Sequence, residues 1–461
     1  MRTKIIATLG PSSSSPEIIS KMVDEGVSAF RINFSHGEKD DWRRLAELVR
    51  EIEEEKNVHL ALIGDLSGPS IRLGSLREPL KLRRGERAYL IESEESEAPS
   101  TIPVPDGRIL QQLGEGHILL MDDGRAAFRV EEVKGDKIVL KALTDATVSS
   151  RKTVVIQGKD LDLPAVTERD VEAVKLAAEE SFDYVGLSYV RGSSDIMMLR
   201  GMLVSLGAGN TGIIAKIETP TALRKLPEII EASDIVLVAR GDLGMHFPLQ
   251  EVPRLQERIV SESLRRGKPV IVATQILGSM IENPVPTRSE IVDVVTAIRE
   301  GVDALMLTGE TAVGRYPLET VKWLKRILET YEPSIHPPKT ELPETSEIGD
   351  RFAYGITSLA ESLNAVIAVY TKSGRTALRM ARFRPQTPIY VASPSIEVLR
   401  KLSIIWGMNP ILVGSRDYNQ GLDELQEKIM SRINEGKIIV LTYGLREEPL
   451  HLVRVIQVRR S

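Results

Sequence analysis

The sequence predicts an α/β protein: a (β/α)8 barrel interrupted by a small β-barrel insert and followed by a separate α/β domain. Three observations carry this expectation. Short aliphatic runs alternate with helical periodicity, and eight run-plus-helix pairs can be counted before residue 331. Residues 69–161 break that alternation, with no long helical pattern. A proline-rich stretch, 331–347 with Pro333, Pro337, Pro338 and Pro343, separates a second α/β alternation.

The first run is Lys4–Leu9. Helical spacing of Ile18, Ile19, Met22 and Val23 follows over 14–26, with Gly26 as the stop. Residues 28–32 and 59–65 are the next strands, around a helix at 42–56. Then come short alternating segments at 79–82, 87–92, 117–121, 125–130 and 137–142. Arg84-Gly85, Asp123-Gly124 and Lys134-Gly135-Asp136 mark turns between them, the pattern of a small antiparallel β domain. Strands resume at 184–189, 212–217, 235–239, 269–274 and 304–307. Helices resume at 167–181, with Thr167 as N-cap, and at 194–206, 221–232, 248–266, 288–300 and 317–330. An open doubly wound sheet is the alternative; the count of eight favours a barrel. After the linker, 365–370, 388–392, 410–413 and 437–442 are strands between helices. The expected domains are 1–68 with 161–332 for the barrel, 69–160 for the insert and 345–461 for the last domain.

Composition narrows the function. The chain has 461 residues, a net charge of −5 and a pI near 5.9, which argues against a general nucleic-acid binder. Aromatics at 4% leave few stacking platforms for bases. Without cysteine there is no disulfide scaffold, thiolate zinc site or iron–sulfur cluster. The first apolar run stops at Gly10-Pro11, too short for a secretory leader, and no stretch approaches a membrane span. The expectation is a cytoplasmic protein with no nucleic-acid or membrane partner.

In a (β/α)8 barrel, chemistry gathers where the strands end. Those ends read Arg31 to His36, Asp65 to Arg72, Ser188 to Arg191, Lys216-Ile217-Glu218, Ala239 to Gly244, Thr274-Gln275 and Thr308 to Thr311. A lone strand-end carboxylate usually caps the next helix and a lone Lys is usually solvated; so many on one rim point to a site. Glu218 and Asp242, two carboxylates with little else, suit Mg²⁺, which keeps waters and takes one or two protein carboxylates. Lys216 lies two residues before Glu218 and so shares its face of the strand. A fixed cation beside a metal is how proteins balance a phosphoryl group in transfer. Arg31 and Arg72 add guanidinium forks for phosphate oxygens. Amides opening a helix at Arg240-Gly241-Asp242 suit a carboxylate or phosphate. His36 either meets nucleotide phosphate or caps its loop.

These segments resemble the pyruvate kinase family. The resemblance lies in Thr3-Lys4-Ile5 with Thr8 to Ser12, Arg31 to Gly37, Leu161 to Val166, Lys216-Ile217-Glu218, Ala239 to Gly244, Ala273-Thr274-Gln275, Pro286-Thr287-Arg288 and Gly309 to Ala312, in family order from residue 1 to about 330. It implies transfer of a phosphoryl group from phosphoenolpyruvate to ADP, in glycolysis. It further implies Glu218 and Asp242 as ligands of Mg²⁺ or Mn²⁺, and Lys216 as the cation on the phosphoryl group and the enolate left behind. Thr274 would lie near the proton donor, and the Gly241 and Asp242 amides would hold the substrate carboxylate. Arg31, Arg72, Asn33 and His36 would face phosphate and nucleotide. The insert would be a closing lid, and the assembly a homotetramer.

The family's monovalent-cation set would map to Asn33, Ser35, Asp65 and Leu66. Many members carry Glu where this chain has Ser70, so a K⁺ requirement is not expected. Thr371-Lys372-Ser373-Gly374-Arg375-Thr376 resembles the family's loop for a phosphorylated effector; the same turn would also simply cap a helix. Two other readings stay open: another metal-dependent barrel enzyme of pyruvate or its enolate, such as an aldolase or lyase, and a non-catalytic relative.

Overall fold

A computed structural model describes residues 1–122, 124–342, 346–444 and 451–459. Asp123, Pro343 and the limits 345 and 461 of the last expected domain lie outside them.

Eight parallel strands close a barrel: Lys4–Leu9, Val27–Asn33, Ala61–Asp65, Tyr184–Leu187, Gly212–Ile217, Ile235–Ala239, Val270–Ala273 and Ala304–Leu307. Neighbours in the chain are neighbours in the ladder, and the eighth closes on the first, Lys4 opposite Ala304. Alternation of side chains divides each strand. Ile6, Ala29, Ala61, Ile214 and Ile271 fill the interior, while Ile5, Phe30, Leu62, Ile213 and Val272 pack outward under the helices. The open doubly wound alternative is therefore excluded.

Local chemistry accounts for the helix starts. Thr167 caps Glu168–Glu179 with a reciprocal bond from Asp170, and Thr287 caps Arg288–Glu300 with Glu290 in the same way. The helix expected at 221–232 is two, Pro220–Arg224 and Leu226–Ala232, because Pro227 supplies no N–H to continue the first. The helix expected from 248 starts at Val252, after a tight turn over Leu249–Glu251.

The insert departs from expectation. Its main sheet has six strands in the order Val154–Ile156, Ile118–Met121, Ala126–Lys134, Lys137–Ala142, Arg87–Glu92, Thr101–Val104. The last pair is parallel, Tyr89 opposite Thr101, so the sheet is mixed rather than antiparallel. Two short two-stranded pieces flank it, and among the described residues the ladder does not run all the way round as in a closed barrel. The core is its own, around Leu90, Leu119, Phe128 and Leu140.

The last domain has a five-stranded sheet in the order Met408–Leu412, Ile389–Ser393, Val366–Tyr370, Ile438–Gly444, His451–Gln457. The fifth strand was not expected, although Leu452, Val453, Val455 and Ile456 are apolar; it pairs antiparallel at the sheet edge with Val453 and Val455 toward solvent. This domain seals the floor of the barrel. Trp406 and Ile405 belong to the same buried cluster as Ile6 and Ala304 of the barrel interior. Among the described residues no helix is long and apolar enough to cross a membrane.

Candidate active site

The strand ends open into a cavity of about 730 Å³. Arg31, Asn33, His36, Asp65, Lys216, Asp242 and Thr274 all line it. They come from five of the eight barrel strands or the loops after them, which only closure of the barrel brings together.

Lys216 is the centre of the charge network. Its Nζ lies 2.7 Å from Ser188 Oγ, 3.1 Å from Glu218 Oε1 and 3.4 Å from Asp65 Oδ2. Burial alone would lower this ammonium, but Asp65 and Glu218 outweigh it and raise it, so Lys216 is a fixed cation. Burial also acts to raise Asp65; Arg31 and Lys216 overcome it and hold that carboxylate low. Arg31 reaches Asp65 Oδ2 through Nε at 3.0 Å and donates to Thr8 Oγ1 at 3.1 Å.

Glu218 is only 1% exposed. Its Oε2 accepts the Tyr189 amide at 2.8 Å. Burial pushes its carboxyl above the usual range, Lys216 opposes this, and the neighbouring Asp242 charge adds to it. Lys216 is shared between Glu218 and Asp65. Two carboxylates near each other at the mouth, Glu218 and Asp242, suit a divalent cation. Among the described residues no three His, Cys, Asp or Glu converge as a protein-only metal cage.

Asp242 rides on the short helix Arg240–His246. The Gly241 amide donates to Thr274 Oγ1 at 2.8 Å. Thr274 has a left-handed backbone, φ 69°, rare for a β-branched residue and a cost of about 1–3 kcal/mol. Arg240 holds it there, donating from Nε and Nη2 to the Thr274 carbonyl at 3.2 and 2.8 Å.

Some expected residues lie off this wall, and others meet it through partners of their own. Arg72 is exposed and off the cavity wall, donating to the Arg151 carbonyl at 3.3 Å. Its charge still reaches His36, which burial first, then Arg72, Arg31 and Arg169, holds below the usual imidazole range. Asn33 Oδ1 accepts the Ser35 amide at 3.1 Å, and Leu66 is buried with its carbonyl taken by Ser188 Oγ at 2.7 Å. Ser70 lines a separate small space under the insert, beside Tyr189 and His246. Glu310 takes the bland role of a cap: its carboxylate accepts the Ile276, Leu277 and Thr308 amides at 3.1, 3.3 and 2.8 Å. In the last domain Thr371 Oγ1 accepts the Gly374 amide at 3.0 Å, and Arg375–Ala381 follows as a helix.

Two participants were given no role from sequence. Ser188 accepts from Lys216 and Thr8 from Arg31, and their strand-end positions were the available signal.

Comparison with known proteins gives a consistent picture. The family model "Pyruvate kinase, barrel domain" matches residues 1–321, and "Pyruvate kinase, alpha/beta domain" matches 350–456. A pyruvate kinase of Aeropyrum pernix is 39% identical over 454 residues, 98% of each chain. One from Pyrobaculum aerophilum is 40% identical over 457 residues, 98% of this chain and 96% of the other. The crystal structure of pyruvate kinase from Pyrobaculum aerophilum superposes with a TM-score of 0.88 at 39% identity, covering 98% of this chain and 99% of that one. That of a pyruvate kinase from Cryptosporidium parvum gives 0.92 at 27% identity, covering 99% and 96%. Matched along both of its major domains and across almost its whole length, the chain belongs to the pyruvate kinase family.

Proposed function

We propose that this chain transfers the phosphoryl group of phosphoenolpyruvate to ADP at the barrel mouth, giving ATP and pyruvate. The observation that carries the reading is Lys216, a buried ammonium held by Asp65, Glu218 and Ser188 on the wall of the cavity. An oxygen of the ADP terminal phosphate attacks phosphorus, the bond from phosphorus to the enol oxygen breaks, and the enolate takes a proton at carbon. Lys216 offsets charge on the phosphoryl oxygens and then on the enolate, where a pre-placed cation in a site of low dielectric is most effective. Thr274 would lie near the proton donor. The substrate carboxylate would take over the Gly241 amide from Thr274 Oγ1 and add that of Asp242. Arg31 would meet the transferring phosphate, with Asn33 and His36 toward the nucleotide and Arg72 brought in as the insert closes. Glu218 and Asp242 would hold Mg²⁺ or Mn²⁺, which as a Lewis acid shields the oxygens of substrate and product.

K⁺ is not needed on this reading, since Asp65 is already met by Arg31 and Lys216 and Ser70 adds no carboxylate. A cytoplasmic homotetramer and a phosphorylated effector at 371–376 belong to the same proposal, supported by the family resemblance. The test is a coupled assay with phosphoenolpyruvate and ADP, with and without Mg²⁺. Metal-dependent formation of ATP and pyruvate is the expected result. Cleavage or condensation of a carbon skeleton without ATP would instead favour an aldolase or lyase.

A further inference from the structure

The loop that ends the fourth barrel strand, Ser188 to Arg191, touches two functional groups of the mouth. It also touches both crossings between barrel and insert, the outgoing one at 66–73 and the return at 154–163. Ser188 Oγ accepts from Lys216 Nζ at 2.7 Å and donates to the Leu66 carbonyl of the outgoing crossing at 2.7 Å. The Tyr189 amide donates to Glu218 Oε2 at 2.8 Å. The Tyr189 ring lies against Gly68, where a Cβ would stand 2.9 Å from Tyr189 Cδ2. Arg191 donates from Nη1 and Nη2 to the Leu161 and Leu163 carbonyls of the return crossing, at 3.0 and 2.5 Å.

Tyr189 is the strained member of this loop. Its φ of 54° lies in the left-handed region, which bulky side chains rarely adopt. Such a backbone persists only where its surroundings over-determine it. Here one constraint acts on the ring, from Gly68, and one on the amide, from Glu218. Tyr189 also lines a small space of about 40 Å³ with Ser70 and Ile71 of the outgoing crossing, Asp160 of the return, and His246. His246 ends the short helix that carries Asp242. His246 Nδ1 and Asp160 Oδ1 are buried with no hydrogen-bond partner, so packing between the return crossing and the barrel is not saturated.

We propose that Tyr189 is a positioning residue that couples the insert to the metal carboxylates: its ring bears on the crossings while its amide sets Glu218. Closing the insert and orienting Glu218 then become one event. Movement of the outgoing crossing presses on the ring, and a residue held by its ring on one side and its amide on the other passes that movement to the carboxylate. The coupling is reciprocal: whatever closes the insert tightens the ion, and the ion holds the insert closed. Asp160 Oδ1 and His246 Nδ1 lose no hydrogen bond when the return crossing shifts. Ser188 and Arg191 tether the same loop to the two crossings, so the loop moves with them.

This inference rests on the reading of Glu218 as a metal ligand, and its test separates the two. Mn²⁺ affinity in the presence of phosphoenolpyruvate is read from the electron paramagnetic resonance of the free ion. Hydrogen exchange of 66–73 and 154–163 is read by mass spectrometry. In wild type, exchange in both crossings should slow when Mn²⁺ binds. Tyr189→Ala should bind the ion about tenfold more weakly, the cost typical of losing a group that orients a ligand. It should also show no slowing at saturating Mn²⁺, while Tyr189→Phe keeps both properties. Thermal melting checks folding; should the alanine variant melt too low, Tyr189→Leu, which also lacks the flat ring against Gly68, carries the same expectation. Wild-type Mn²⁺ affinity in Tyr189→Ala, slowing that survives in it, or a Tyr189→Phe as impaired as alanine would overturn the inference. Unchanged affinity in Glu218→Gln would overturn the metal reading and this inference with it. Weakened binding there beside an indifferent Tyr189→Ala would overturn the inference alone.

Discussion

The two ends of the barrel are built from the same eight strands and treat charge in opposite ways. At the floor, Asp303 is 1% exposed and Arg384 2%, and protein groups satisfy both. Asp303 accepts the Val270 amide at 2.9 Å, the Trp406 amide at 3.0 Å and the Arg384 guanidinium. Arg384 donates further to the Gly301 and Ala381 carbonyls at 2.8 and 2.7 Å. At the mouth, Lys216 is shared between Asp65 and Glu218, and burial, helped by the Asp242 charge, pushes the Glu218 carboxyl above its usual range. A saturated buried pair fixes a structure; a shared cation on a cavity wall can turn toward a ligand. The difference places folding energy at the N-terminal ends of the strands and chemistry at the C-terminal ends.

The comparison can be broken from either end. The largest effect is expected at the mouth from Asp242→Asn, which should abolish turnover while leaving the melting temperature close to wild type. Lys216→Met should lower the rate by about 10²–10³-fold or more, again with the fold intact. Rapid-quench measurement of the phosphoryl step checks both. Retained phosphoryl transfer in Lys216→Met would remove the mouth's central cation from the mechanism.

At the floor the sign reverses. Arg384→Met strands the buried Asp303 carboxylate and should cost about 3–5 kcal/mol of stability, read by urea unfolding. Turnover per folded molecule should change little, because Arg384 contacts nothing at the mouth.

A smaller effect sharpens the same point through pH. Lys4 Nζ donates to the Met408 carbonyl at 2.6 Å, and burial lowers its ammonium from 10.5 to about 8. Below about pH 8 both states hold the proton, and the folded state bears the full cost of a buried charge. Between about 8 and 10.5 the unfolded chain binds more proton than the folded one, so this group's contribution to stability rises with pH. The stability of wild type relative to Lys4→Met should therefore climb across that window, by up to about 3 kcal/mol. A flat difference would mean that Lys4 is not buried as an ammonium.

The smallest effect concerns K⁺. Steady-state rates in tetramethylammonium buffer and in KCl of equal ionic strength should differ by less than about tenfold, or 1.4 kcal/mol. A larger rise with K⁺ would show that Ser70 does not relieve the cation requirement.

Features that depend on near neighbours were legible in the residue order. Aliphatic runs and helical spacing located the eight barrel strands within a few residues, and capping chemistry fixed Thr167 as a helix start. Strand-end position singled out Arg31, Asp65, Lys216, Asp242 and Thr274, because a barrel turns sequence order into one rim. Features that depend on groups far apart in the chain emerge on folding. The split of Lys216 between Asp65 and Glu218, the capture of the Gly241 amide by Thr274, and the parallel pairing of Arg87–Glu92 with Thr101–Val104 are examples. So is the cavity at the barrel floor, whose lining residues come from two domains. Periodicity reports which face of an element is buried; it carries no information on which distant partner buries it. Charge balance, which sets whether a group is saturated or awaits a ligand, is a sum over those partners.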